Sequence, residues 1–207
     1  LKKLAQPQLA WLRLGLAADL AGQPMRSVEA LQRAYYDFPT TTEADLAGQA
    51  LDKQDVDLEA PFAPKELARA ETLFQARRWT GAKQSYDRVK SFLSGADRDR
   101  VSNRTSAAEI ALGRNREGRD ALRPFLSGPL AEEANFHFIT ATRGLKLKDE
   151  HIARSRAFVE RYPNSPFAEE VLNNLASAYI IDDQHDEADK LFREILNPYP
   201  AGRFTEP

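Results

Sequence analysis

The chain has 207 residues, 42% hydrophobic and 29% charged, with a formal net charge of −2. This much apolar material can bury a core and argues against disorder, while the near-neutral balance argues against a dedicated nucleic-acid binder. Cysteine is absent, which removes disulfides, thiolate metal sites and a cysteine nucleophile, and no apolar run is long enough for a membrane span.

Ala, Leu, Glu, Arg, Lys and Gln dominate, all good helix formers, whereas Val and Ile are sparse and no hairpin signature is present. Apolar periodicity predicts eleven helices, over 6–21, 25–38, 42–52, 64–76, 79–94, 99–113, 116–126, 130–145, 149–161, 165–181 and 184–197. Gly22, Gly95, Gly113, Gly128 and Gly144 fall where those runs stop. Thr40 with Glu43 and Ser106 with Glu109 have capping-box spacing, and Ser165-Pro166 reads as an N-cap followed by a first-turn proline.

Three stretches follow in chain order. Residues 1–51 form an N-terminal helical segment. Residues 52–65, DKQDVDLEAPFAPK, carry four acids and two prolines and cannot be one helix, so they form a linker or a long loop within one solenoid. Residues 66–207 show repeats. Ala70 is followed twelve residues on by Ala82, then by Tyr86 and Val89, with Trp79 and Gly81 placed in the turn between the helices. Ala121 and Phe125 mark another copy, and Ala141, Ala153, Ala157 and Pro163 a third. The clearest copy runs Ala176, Ala188, Phe192, Ile195 and Pro200.

Small residues at such positions let paired helices approach, an aromatic fills the space to the next pair, and proline closes the second helix. Ala82, Ala121, Ala153 and Ala188 are separated by 39, 32 and 35 residues, around the tetratricopeptide period of about 34. Phe38-Pro39, Tyr162-Pro163 and Tyr199-Pro200 punctuate repeat ends. The fold expected is all-α: an α-solenoid, or superhelix, of antiparallel tetratricopeptide-like helix pairs.

Little points to catalysis. His137, His151 and His185 lack metal-ligand spacing and are expected at the surface or in turns. Phosphate-binding glycine loops and a nucleophile elbow are missing. Most carboxylates lie beside Lys or Arg in helix-surface patterns, such as Glu187 with Lys190 and Asp189 with Arg193. No catalytic, cofactor or metal residues are therefore assigned, and no cofactor is expected. Charge is uneven, however: Lys65 to Arg123 carries 14 basic and 8 acidic residues. Arg77, Arg78, Trp79 and Arg104 in this stretch are the candidate ligand or partner contacts. The aromatics, Trp11, Tyr35, Tyr36, Tyr86, Phe125, Phe158, Tyr179 and Phe192 among them, otherwise read as packing residues.

The stretches RAETLFQARRWTGAKQSYDRV (69–89), RYPNSPFAEEVLNNLASAYI (161–180) and EADKLFREILNPYPAGRF (187–204) resemble the superhelical region of bacterial soluble lytic murein transglycosylases. The resemblance covers residues 60–207 and is weak over 1–60; the YPNSP style also occurs in other periplasmic tetratricopeptide proteins. In that family a helical superhelix precedes a lysozyme-like domain that cleaves peptidoglycan with one catalytic Glu. No Glu here is followed by Ser, and Met25 stands in Pro-Met-Arg, so the motifs of that catalytic domain are lacking.

The resemblance thus implies a non-catalytic, periplasmic module that serves as a scaffold for glycan strands and for the parent protein's catalytic domain. Other envelope proteins are further expected partners, and nucleic acid and a membrane span are not. Because the chain begins at Leu1 and its single methionine is Met25, a longer parent with an upstream leader is expected, and the resemblance implies a catalytic segment beyond Pro207. The alternative is a free-standing tetratricopeptide scaffold for protein–protein interaction.

Overall fold

The computed structural model describes residues 5–56 and 59–196, with side chains through Arg193. Among the described residues there are eleven α-helices and no strand. In chain order they are α1 (Pro7–Leu20), α2 (Pro24–Asp37), α3 (Thr42–Lys53), α4 (Ala63–Gln75), α5 (Trp79–Val89), α6 (Gly95–Ala111), α7 (Asn115–Leu122), α8 (Ala131–Gly144), α9 (Lys148–Arg161), α10 (Ala168–Ile181) and α11 (His185–Leu196). Short 3-10 turns cover Ala60–Phe62, Lys90–Phe92 and Arg123–Phe125. The expected all-α, tetratricopeptide-like fold is the one observed. None of the described helices is long and apolar enough to cross a membrane.

The chain divides into two compact units, Leu1–Ala108 and Glu109–Pro207, so the boundary falls inside α6. In the first unit α1 and α2 pack as a pair, α3 packs on them, and α4 pairs with α5. Its cores are Leu12, Leu31, Ala34, Tyr35, Ala47 and Leu51 at one end, and Ala70, Leu73, Ala82, Tyr86 and Val101 at the other. In the second unit the cores are Ile110, Leu122, Ala134, Phe138 and Ala141; Phe136, Ile139, Phe158 and Val171; and Leu172, Leu175, Ala176, Tyr179, Ala188 and Leu191.

One turn recurs five times before a second helix, and once more at Asp55, where it closes α3. Gly22, Arg77, Gly113, Lys146 and Asp183 all have φ between 56° and 85°. The next residue's N–H then bonds a carbonyl five positions back: Gln23 to Ala18, Arg78 to Leu73, Arg114 to Glu109, Leu147 to Thr142 and Gln184 to Tyr179, at 2.9–3.0 Å. The left-handed residue itself bonds three back, as Gly22 does to Asp19 and Arg77 to Phe74. These are Schellman closures, which satisfy the orphan carbonyls of the first helix of each pair. Glycine adopts this conformation freely; for Arg77 and Lys146 it costs on the order of 1–2 kcal/mol.

The turn fixes the repeat register and corrects part of the sequence reading. Five residues after Gly22, Arg77, Gly113, Lys146 and Asp183 stands a buried residue, respectively Ser27, Ala82, Gly118, His151 and Ala188, whereas Ala60, five after Asp55, is exposed. Ala121 and Ala153, expected at this position, are exposed. The true intervals from Ala82 are 36, 33 and 37 residues. In the third copy the inward set is Ile139, His151, Ser155 and Phe158, two residues earlier than the alanines indicated. Ala157 is likewise exposed. His151 is only 3% exposed, so the expectation that all three histidines lie at the surface or in turns fails for it. His185 is exposed, and His137 is half-buried 3.9 Å from Glu133.

Smaller differences share local causes. Thr41, not Thr40, caps α3 by accepting from the Ala44 N–H. Ser106 lies in mid-helix and donates back to the Ser102 carbonyl at 2.9 Å. Trp79 and Gly81 belong to the first turn of α5, because the closure at Arg77 ends the connection earlier. Gly95 opens α6 instead of ending a helix. Gly144 is the last residue of α8, and Lys146 takes the left-handed position. Ser165 accepts from the Phe167 N–H, two residues before the cap of α10. The Ile195 side chain, Pro200 and the Tyr199-Pro200 dipeptide lie outside the described residues.

Two outcomes are expected. Ala188 is 2% exposed in a packed core, so Ala188→Leu should overpack it and cost about 1–3 kcal/mol in chemical denaturation. Ala153→Leu should change stability by less than about 0.5 kcal/mol; equal costs would refute the register. His151 has a pKa below the usual histidine value, chiefly through burial and then through the Arg143 charge. The folded state therefore binds fewer protons than the unfolded one, and stability should fall as pH drops below about 6.5. In His151→Ala, which installs the small residue of Ala82 and Ala188, the fall between pH 7 and pH 5 should be shallower.

Candidate functional site

In the first unit α3, lacking a short-turn partner helix, faces α4 and α5 across a cleft of about 460 Å³. α3 supplies Asp45, Gly48, Gln49 and Asp52; α4 supplies Arg69; Arg78, Trp79, Gln84 and Arg88 come from the start and length of α5. Tyr35 of α2 lines the cleft and also a neighbouring hollow of about 430 Å³, where it meets Tyr36, Phe62 and Glu66.

Tyr35 organises the polar groups. A Cβ on Gly48 would stand 2.8 Å from Tyr35 Cε2, so glycine is what lets α3 lie against this ring. The phenol pKa is raised, first by burial and then by the Glu66 charge, so the hydroxyl keeps its proton. It donates to Glu66 Oε1 at 3.2 Å and accepts from Arg88 Nη1 at 2.9 Å. Arg88 Nη2 reaches Asp52 Oδ1 at 2.6 Å. The Arg69 guanidinium carbon lies 3.8 Å from the Tyr35 ring centre, a cation–π stack. Its Nη1 donates to Ser85 Oγ at 2.7 Å. Asp45 stands 3.9 Å from Arg69 Nη2 and 3.3 Å from Arg78 Nη1. Glu66 and Arg69 are buried, whereas Asp45, Asp52 and Arg78 are about half exposed.

The residues singled out from sequence fall into different places. Arg78 and Trp79 line the cleft; Trp79 packs edge-on against Phe74 with ring centres 5.3 Å apart. Arg77 is the exposed left-handed residue of the α4–α5 turn. Arg104 pairs with Glu71 and lies over Phe74, away from the cleft lining. Tyr35 reads from sequence as a packing residue only, and no local pattern marks Asp45, Asp52, Arg69 or Arg88 as cleft residues. The charge asymmetry was the available signal: basic residues of 65–123 meet acids from outside that stretch, as in Arg78–Asp45, Arg88–Asp52 and, in the second unit, Arg119–Glu150 at 2.5 Å. Chemically, the cleft offers guanidinium donors, exposed carboxylates and aromatic faces. No group of three histidines and carboxylates among the described residues could hold a metal ion.

The tetratricopeptide repeat family model matches residues 9–41, which span α1 and α2. No curated protein matches the chain. Among solved structures, MamA residues 41 to the end from Desulfovibrio magneticus RS-1 aligns with a TM-score of 0.56 and 12% identity, covering 96% of this chain and 98% of that one. Tetratricopeptide-like repeats of a putative kinesin light chain from Podosopora anserina align with a TM-score of 0.53 and 15% identity, covering 96% and 100%. At these identities the likeness is one of fold, and it places the chain in the tetratricopeptide-like α-solenoid class.

In the matched segment only the Phe38-Pro39 end reads as a repeat from the sequence pattern, because the small-residue positions are not alanine. Gly15, Ser27, Leu31, Ala34 and Pro39 nevertheless keep the intervals of Ala176, Ala188, Phe192, Ile195 and Pro200. Gly15, Ser27, Leu31 and Ala34 are all buried. A Cβ on Gly15 would come within 2.6 Å of Leu31 Cγ, so the small position is filled by glycine because the helices touch there.

Proposed function

We propose that the chain is a non-catalytic protein-interaction scaffold whose α3–α5 cleft holds a segment of a partner polypeptide. The observation that carries this is the lining: Arg69, Arg78, Arg88, Tyr35 and Trp79 gather around one cleft of about 460 Å³. Arg, Tyr and Trp are the side chains that dominate binding hot spots. They stand on packed helices, so little order has to be gained on binding. Selection of a random peptide library on the whole chain should enrich binders. An Arg78→Ala/Trp79→Ala variant with unchanged helicity should lose at least tenfold in affinity for them. Equal binding by the variant would remove the cleft from the function.

A narrower reading is supported by the residue patterns at 69–89 and 161–180. In it the scaffold is the superhelical module of a periplasmic peptidoglycan lytic transglycosylase, and it positions glycan strands or the parent's catalytic domain. The free-standing interaction scaffold is the alternative. Under the narrower reading the chain should sediment with purified peptidoglycan sacculi and release no 1,6-anhydro products from them. Failure to sediment would discard that reading and leave the scaffold function standing.

A further inference from the structure

The ion pairing in the cleft of the first unit is lopsided. Arg88 meets Asp52 at 2.6 Å, a full charge-assisted bond. Arg69 is only 5% exposed, yet its ion pair with Asp45 is 3.9 Å long. Its Nε is buried with no hydrogen-bond partner among the described residues. Nη1 is committed to Ser85, so the unmet donors lie along the edge shared by Nε and Nη2. That edge has the fork geometry that takes both oxygens of a carboxylate. Burying a cation is costly unless it is paired and hydrogen-bonded, and Asp45 reaches this one from too far to do so. Asp45 is itself about half exposed and shared with Arg78 at 3.3 Å, so it is held loosely by two guanidinium groups.

We infer that Asp45 is a resident stand-in, and that the cleft binds an acidic partner segment whose Asp or Glu side chain displaces it. The incoming carboxylate takes the Nε–Nη2 edge of Arg69, and Arg78, released from Asp45, closes on its outer side. Trp79 and Tyr35 offer apolar faces to the rest of the segment. This rests on the proposal that the cleft takes a partner polypeptide, and it adds the class of partner and an internal competitor that sets the affinity.

The test uses the whole chain and a hexaglutamate peptide blocked at both ends, with hexaglutamine as the neutral control, in calorimetric titrations at low salt. Wild type should bind hexaglutamate weakly and hexaglutamine not at all. Asp45→Asn should bind hexaglutamate about tenfold more tightly. Asp97→Asn makes the same change in net charge on α6, where Asp97 pairs with Arg100 at 3.0 Å, and should leave binding near wild type. Adding Arg78→Gln to Asp45→Asn should abolish the gain, with circular dichroism confirming that each variant is folded. Equal affinities for Asp45→Asn and Asp97→Asn would overturn the stand-in role. Absence of hexaglutamate binding in all variants would overturn the acidic class, while enrichment of neutral peptides in the library selection would keep the scaffold proposal intact.

Discussion

The left-handed residue that ends the first helix of each pair stands five positions before a residue buried against that helix. The two facts are one constraint. The Schellman closure satisfies the last carbonyls of the first helix and fixes where and in which direction the second begins. With 3.6 residues per turn, positions five, nine and twelve after the left-handed residue then share one face. Arg77 therefore sends Ala82, Tyr86 and Val89 inward, and Lys146 sends His151, Ser155 and Phe158 inward. The first of these lies where the helices come closest, which is why Ser27, Ala82, Gly118 and Ala188 are small. His151 breaks the size rule, and the result is a buried imidazole whose protonation opposes folding.

Charge is arranged to a similar economy. The basic excess between Lys65 and Arg123 does not stand as a free patch, because part of it is spent on acids brought in from α3 and α9. Tyr35 makes the arrangement in the first unit possible. As a protonated phenol it gives its hydrogen to buried Glu66 and its lone pair to Arg88, while its ring face carries Arg69. A single neutral side chain thus sits among three charged ones. Phe138 does related work in the second unit, with the Arg154 and Arg119 guanidinium groups 4.4 and 4.8 Å from its ring centre and Glu150 joining the two arginines.

Much of the fold was legible because helices and turns are local. The eleven helices follow apolar periodicity, and their observed bounds lie within a few residues of the expected ones over most of the chain. Register was harder to read because alanine is ambiguous: it is the best helix former and suits an exposed face as well as a tight contact. Ala153 and Ala121 matched the expected interval and face solvent, while His151 and Gly118 do the packing. In the N-terminal pair the helices and the Phe38-Pro39 end were legible but the register was not, for the converse reason, since Gly15, Ser27 and Leu31 keep the spacing without alanine or an aromatic. Glycine at a turn was legible, but Arg77, Lys146 and Asp183 in the same conformation were not, because the backbone imposes it against their preference. Of the cleft, Arg78 and Trp79 were legible as a charged and aromatic pair beside a turn. Arg69, Asp45 and Tyr35 come together through packing between helices distant in sequence, which no local pattern records.

The cleft lies where the repeat is interrupted. From Ser27 to Ala82 the interval is 55 residues, whereas later intervals are 33 to 37. The excess accommodates α3 and the acidic, proline-bearing stretch after it, whose described residues hold only the 3-10 turn Ala60–Phe62 before α4. In a regular repeat, a short-turn partner would pack beside α3 as α5 does beside α4. Among the described residues there is none, so Asp45, Gly48 and Asp52 border open space, and the charge partners of Asp45 and Asp52 come from α4 and from the start and length of α5. Arg69 stands at this break: it is buried by the packing around it, yet among the described residues its Nε has no hydrogen-bond partner and its Nη2 only the 3.9 Å ion pair with Asp45.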